Sequence, residues 1–190
     1  MTLLNIEERH LVMIEGLEIF TYQLASVFVT VFLFTHSDLK TTFLYRAITF
    51  TSLLFFYVLS GWTLRKISSG NLMKIGLAAG AFYYLLLFLL QGRAVQYLVP
   101  LAILDGLAGG NYWSAFNLNI YIFTDKTKRE RVFGIVNAVL NFTSALGPAI
   151  GGAIIALVGA GMVLGVQKGY AALFFTVFVL LGATALFIGK

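Results

Sequence analysis

Glu15-Gly16-Leu17-Glu18-Ile19-Phe20-Thr21-Tyr22 and Asp105-Gly106-Leu107-Ala108-Gly109-Gly110-Asn111-Tyr112 stand 90 residues apart; each opens acidic-Gly-Leu and reaches a Tyr at the same offset. The pairing continues outward. The apolar stretch around the first ends Phe34-Thr35 and that around the second Phe123-Thr124. The next stretch in each half carries one triplet, Phe50-Thr51-Ser52 and Phe142-Thr143-Ser144. The offset drifts by a residue or two, as small insertions would make it. The shared order reads as a duplicated three-helix unit, repeat A over about 11–90 and repeat B over about 98–188. Three is odd, so the second copy would enter a membrane upside down. Inverted repeats of this kind recur in secondary transporters.

The composition places the chain in lipid. It has 190 residues, 59% apolar and only 11% charged, with mean hydropathy +0.91. A soluble domain carries about 25% charged residues, so there is too little polar surface here to coat a water-soluble globule. Phe (18) and Gly (19) are abundant, as suits helices that face lipid and pack closely on one another. The formal charge of +5 sits in short loops, which fits the positive-inside rule and gives no reason to expect nucleic acid. With no Cys, disulfides and thiolate metal sites are excluded from this chain. The first apolar segment carries Glu15 and Glu18 and is too long for a cleaved signal peptide, so it is expected to serve as an uncleaved insertion signal.

A spanning helix needs about 20 mostly apolar residues. Six stretches qualify: Leu11–Thr35, Thr41–Thr63, Leu72–Leu90, Leu98–Phe123, Val132–Val158 and Tyr170–Ile188. Runs such as Tyr84–Leu90 do not alternate as barrel strands must. The expected fold is an all-α membrane protein, one bundle over 1–190, with a Gly-rich end to the fifth helix at 158–169. A cytoplasmic N-terminus puts Arg9, Arg65, Lys66, Lys74, Lys126, Lys128, Arg129, Arg131 and Lys190 inside, and Lys40, Arg46, Arg93 and Lys168 outside. Nine against four predicts that both termini are cytoplasmic. Gly76 and Gly80, Gly106 and Gly110, and Gly147 and Gly151 have GxxxG spacing, which lets helix backbones approach closely.

The fifth stretch contains Gly147-Pro148-Ala149-Ile150-Gly151-Gly152. This resembles the GPxxGG element in the fifth helix of major facilitator superfamily transporters, drug and metabolite exporters above all. Lys126-Thr127-Lys128-Arg129-Glu130-Arg131 followed by Val132-Phe133-Gly134 resembles the same family's loop between helices four and five, and Gly106–Trp113 resembles its fourth helix. The likeness runs the length of the chain and covers the family's N-terminal half. It implies six crossings, secondary transport or efflux of a small molecule, no cofactor, and a bacterial plasma membrane setting. It also implies a second six-helix half, either another copy or a C-terminal half beyond this chain. Two features depart from the family. The loop after the second helix, Gly61-Trp62-Thr63-Leu64-Arg65-Lys66, has Arg65 near the place of the usual Asp, and Ile103-Leu104-Asp105 lacks the exporters' Arg. The inside charge lock and the proton-antiport mechanism tied to those two residues therefore do not carry over.

Ionisable residues inside a spanning segment cost about 2.5–3.5 kcal/mol at its centre and mark candidate pathways. Glu15, Glu18, Tyr22 and Ser26 share one face at helical spacing. So do Arg46, Thr49, Leu53, Tyr57 and Ser60, and likewise Asp105, Gly109, Tyr112, Phe116 and Asn119. Lipid cannot satisfy such stripes, so they face protein or water. The predicted depths pair Arg46 with Asp105 near the outer face, and Glu15 and Glu18 with Arg129 or Arg131 near the inner face. Glu18 or Asp105 would take up a proton or a cation, and Asn111, Trp113, Asn117 and Asn119 offer further hydrogen-bonding groups. The bland alternative is that these charges snorkel to the interface.

Enzyme classes find little support. No Gly-x-Ser nucleophile or His lies in an apolar core, two isolated His do not make a metal site, and no metal is expected. A selectivity loop or a ring of like charge, as a channel needs, is not evident either. The expectation is a transporter half; the alternative is a membrane interaction or scaffold protein with the same fold.

Overall fold

The structure, a computed structural model, describes residues 6–124, 126–160 and 165–188. It is all-helical: α1 (Ile6–His36), α2 (Leu39–Thr63), α3 (Ser69–Leu90), α4 (Leu98–Phe123), α5 (Arg129–Ala160) and α6 (Gly165–Phe187). No strand occurs among the described residues. Lys190 and residues 161–164 of the expected Gly-rich end lie outside them.

Five continuous helical segments are long and apolar enough to cross a membrane, which corrects the expectation of six separate stretches. The third, Ser69–Phe123, is 55 residues without a break, because α3 and α4 are joined by a 3-10 segment, Gln91–Tyr97, instead of a loop. A straight helix of that length would extend about 80 Å. It does not extend that far: a Cβ added to Gly76 in α3 would lie 2.7 Å from the backbone nitrogen of Tyr112 in α4. The segment therefore folds back on itself. Gln91, with φ 47°, supplies the sharp change of direction.

Helix starts follow local chemistry more than apolarity. The Asp38 carboxylate accepts from the Thr41 backbone N–H at 2.7 Å and caps α2, and Ser68 accepts from the Asn71 N–H at 3.3 Å and caps α3. Several helices begin before their apolar runs, α1 by five residues, since polar first turns extend into the interface.

α2 lies along α4, α4 along α3 and α3 along α6; α6 meets α1 and α5, which pack together. The bundle is thus a chain of neighbours with α2 at one end and α5 at the other. Its centre is aromatic, with Phe32 edge-on to Phe174 at 5.3 Å between ring centroids. Lipid provides no hydrophobic drive for helices to associate, so close packing must hold them together. Five of the six glycines in the predicted pairs sit where a neighbouring backbone lies close, and Gly80 meets the Leu181 and Ala108 side chains. A Cβ on Gly106 would meet Ser52 and Leu53 of α2, one on Gly110 the Leu53 carbonyl, and one on Gly147 the Gln23 backbone of α1. Phe43, Phe50, Leu54 and Val58 stay exposed along α2, as a lipid-facing surface requires.

The two ends of the bundle are distinct. His10, Gly70, Phe123 and Ile188 line a cavity at one end, so the start of α1 and the end of α6 lie on the same side. His36 approaches Gly92 at the other.

Candidate functional site

α1 makes few contacts with α2 and α4, and a cavity of about 280 Å³ fills the gap. Glu18 and Tyr22 enter it from α1, Arg46 from α2, and Asp105 and Tyr112 from α4. Five of the seven predicted pathway residues therefore share one space. A sixth, Glu15, lies just behind it, fully buried, with Oε2 accepting from the Tyr112 hydroxyl at 2.5 Å. Its Oε1 has no hydrogen-bond partner among the described residues. Asn119 is elsewhere. It lines the cavity at the α1-start end and donates from Nδ2 to the Met73 sulfur at 3.4 Å.

The predicted ion pairs are not the contacts formed. Arg46 turns to α1, where it donates to the Ser26 carbonyl at 2.9 Å and to the Thr30 hydroxyl. Asp105 accepts from the Tyr45 hydroxyl at 3.0 Å, and Tyr45 shares a 2.5 Å hydrogen bond with the Tyr83 hydroxyl. Nor does Arg129 reach Glu15 or Glu18. Its guanidinium donates to the Tyr121 and Thr124 carbonyls at 3.0 and 3.3 Å and covers the Tyr121 ring, tying the end of α4 to the start of α5. Arg131 is exposed at the start of α5, as are Arg65 and Lys66 in the turn after α2.

The expected separation of inner from outer charges also needs correction. Glu18 lies twelve residues into α1, roughly 18 Å along its axis. That brings it level with α2 and α4 groups that enter from the opposite end. The cause is the early start of α1 at Ile6, which makes it a 31-residue helix.

The Gly-Pro element packs α5 onto α1. Gly147 lies against Gln23, Gly151 against the Leu24 carbonyl, and Gly152 faces the Phe28 ring. Pro148 has no N–H for the Ser144 carbonyl one turn back, yet α5 continues helical through it. Beside this break Gln23 donates to the Ser144 hydroxyl at 2.8 Å.

Tyr45, Tyr83, Tyr84 and Gln23 were absent from the predicted set, although Tyr84 and Gln23 line the cavity, Tyr45 holds Asp105 and Tyr83 holds Tyr45. Tyr45 had a usable signal: it lies four residues before Thr49, on the face that carries the α2 stripe. Tyr83 and Tyr84 offered only a polar pair inside an apolar run.

Fold and cavity together define a helical protein compatible with integration in a membrane. No family model matches the chain, and no solved structure matches it. It is similar to an uncharacterized protein in the sodM 3' region of Geobacillus stearothermophilus, 27% identical over 133 residues. That alignment takes in 70% of this chain and 62% of the relative, so the chain spans less than two thirds of the relative's length.

Proposed function

We propose that the chain is one six-crossing half of a secondary transporter of the major facilitator type, moving a small molecule by alternating access. The observation that carries this is the mid-depth cavity between α1 and the α2–α4 pair, where Glu18, Arg46 and Asp105 meet inside an apolar bundle. Buried charge in a membrane helix is costly and needs a function to retain it. Six crossings follow if the 3-10 turn at Gln91 is counted as the outer loop of a hairpin. The inverted repeat has support in the packing order. Exchanging α1 with α4, α2 with α5 and α3 with α6 turns the α1–α5 contact into α4–α2, and α1–α6 into α4–α3, whereas α5–α6 finds no comparable α2–α3 packing among the described residues. With the N-terminus cytoplasmic, the cavity sits between an inner and an outer end, and a rocking motion against a second half, its own copy or another polypeptide, would open each in turn.

The chain has no Cys, so a single Gln23→Cys change reports on the cavity alone. In sealed vesicles, a membrane-impermeant maleimide applied to one face and then the other should label this position from both. Labelling from one face only, whatever solutes are supplied, refutes alternating access and leaves the scaffold reading.

A further inference from the structure

From the walls and charge of the cavity between α1 and the α2–α4 pair, we infer that its ligand is a small monovalent organic cation with an apolar body. The inference rests on the transport reading for the ligand's fate, though not for its binding.

Charge comes first. The cavity holds two carboxylates, Glu18 and Asp105, and one guanidinium, Arg46, so its formal charge is −1. Arg46 is engaged with the Ser26 carbonyl and the Thr30 hydroxyl on α1 and forms no hydrogen bond to either acid. Asp105 accepts one hydrogen bond, from a neutral hydroxyl. Glu18 accepts none from a described residue, so its carboxylate is the open acceptor of the site. With both acids ionised, the charge left uncompensated in this low-dielectric space is expensive, and either a bound proton or one positive charge on the ligand removes that cost.

The walls come second. Tyr22, Tyr84, Tyr112 and Trp113 line the cavity, with Tyr112 and Trp113 edge-to-face at 5.9 Å between centroids. Aromatic faces attract alkylammonium groups, more strongly where water is excluded. Leu53, Leu77, Gly76 and Gly80 add apolar surface, and Gln23 and Thr49 add a polar group each. A predominantly apolar wall of this kind accommodates methyl and methylene groups.

Size comes third. A volume of about 280 Å³ equals roughly nine waters at about 30 Å³ each. A quaternary ammonium head with a short chain fits.

Titration calorimetry on the full chain in detergent, with choline as the probe, tests this. The neutral isostere 3,3-dimethylbutan-1-ol has the same shape without the charge. Choline should bind at least tenfold more tightly than the isostere. Asp105→Asn and Glu18→Gln should each weaken choline at least tenfold and leave the isostere within twofold. Equal affinity for the two probes, no choline binding to the folded chain, variants that bind choline like the parent, or displacement of choline by equimolar sodium would each overturn the inference. The isostere comparison uses the parent chain, so it decides the matter even if a variant misfolds. Choline binding with one-sided Gln23→Cys labelling keeps the site and removes transport; two-sided labelling without preference for the cation does the reverse.

Discussion

Gly106→Ala and Gly134→Ala make the same chemical change and should move stability in opposite directions. Gly106 lies in α4 against α2. A Cβ there would stand 2.5 Å from the Ser52 Cβ and 2.7 Å from both the Leu53 nitrogen and the Thr49 carbonyl oxygen. Two of these three atoms are backbone, so no rotamer change relieves the clash. To restore a 3.4 Å contact α2 must retreat by roughly 0.7–0.9 Å, and a gap of about 0.5–1 Å forfeits a quarter to a half of each dispersion well along the interface. Overpacking of this kind costs about 1–3 kcal/mol, and the upper end applies where backbone is struck. Gly134 lies in α5 with nothing within 4 Å of an added Cβ. There the methyl only removes backbone freedom from the unfolded state, a gain of up to about 1 kcal/mol. The two variants should therefore differ by about 2–4 kcal/mol. The assay is unfolding in detergent micelles titrated with dodecyl sulfate, followed by helix circular dichroism. If Gly106→Ala is no less stable than Gly134→Ala, α2 and α4 do not pack as described and the reasoning fails.

Three further outcomes follow from the same contacts. Glu15 and Tyr112 should be coupled: a double-mutant cycle with Glu15→Gln and Tyr112→Phe is expected to give about 0.6–1.7 kcal/mol, the range of hydrogen bonds between membrane helices, and a value near zero would break the link. Arg46→Met should cost about 1.5–3 kcal/mol in the same unfolding assay by removing charged donors to Ser26 and Thr30, whereas Arg46→Lys should recover part of that loss; equal losses for both would deny the bond to α1. Asp38, exposed in the turn between α1 and α2, has its carboxyl held below its usual value by hydrogen bonds from the Thr41 hydroxyl and backbone N–H. A depressed folded value means the cap stabilises above about pH 3.9 and is lost as pH falls through the folded value, so the advantage over Asp38→Asn should shrink on acidification below about pH 4. An advantage that stays constant down to pH 2 would contradict the cap.

Length, apolarity and glycine spacing made the helices and their tight contacts legible, because lipid imposes few solutions on a backbone. The GxxxG pairs needed no tertiary information: a missing side chain two turns running marks a close approach wherever the partner lies. The 3-10 join between α3 and α4 was not legible in the same way. Gln91-Gly92-Arg93 reads as a loop by polarity, and nothing in its composition says that helical hydrogen bonding continues through it. Depth was misjudged for a similar reason. Apolarity dates the start of α1 to Leu11, but the polar turn before it is helical too, and that moves Glu18 toward the middle of the bundle. The stripes identified which side chains turn inward. They could not say which inward groups touch, and Arg46 chose α1 over Asp105 because the Ser26 carbonyl and Thr30 hydroxyl stand across a gap that the helix faces alone do not reveal.

That gap is where fold and site become one argument. α1 and α5 pack into one unit through Gly147 and Gly151, and α2 and α4 into another through Gly106 and Gly110, with α3 and α6 joined behind them. Between the two units direct packing is sparse. What crosses the divide is polar: Arg46 to Ser26 and Thr30, and Tyr112 to Glu15. The cavity lies among these bonds, lined by two of the residues that make them. Dispersion fades gradually as two surfaces part, but a hydrogen bond in a low-dielectric space is either made or costs its unpaired groups dearly. On the proposed transport reading, two tightly packed units joined by a few such bonds would respond to a charge placed between them with two discrete arrangements.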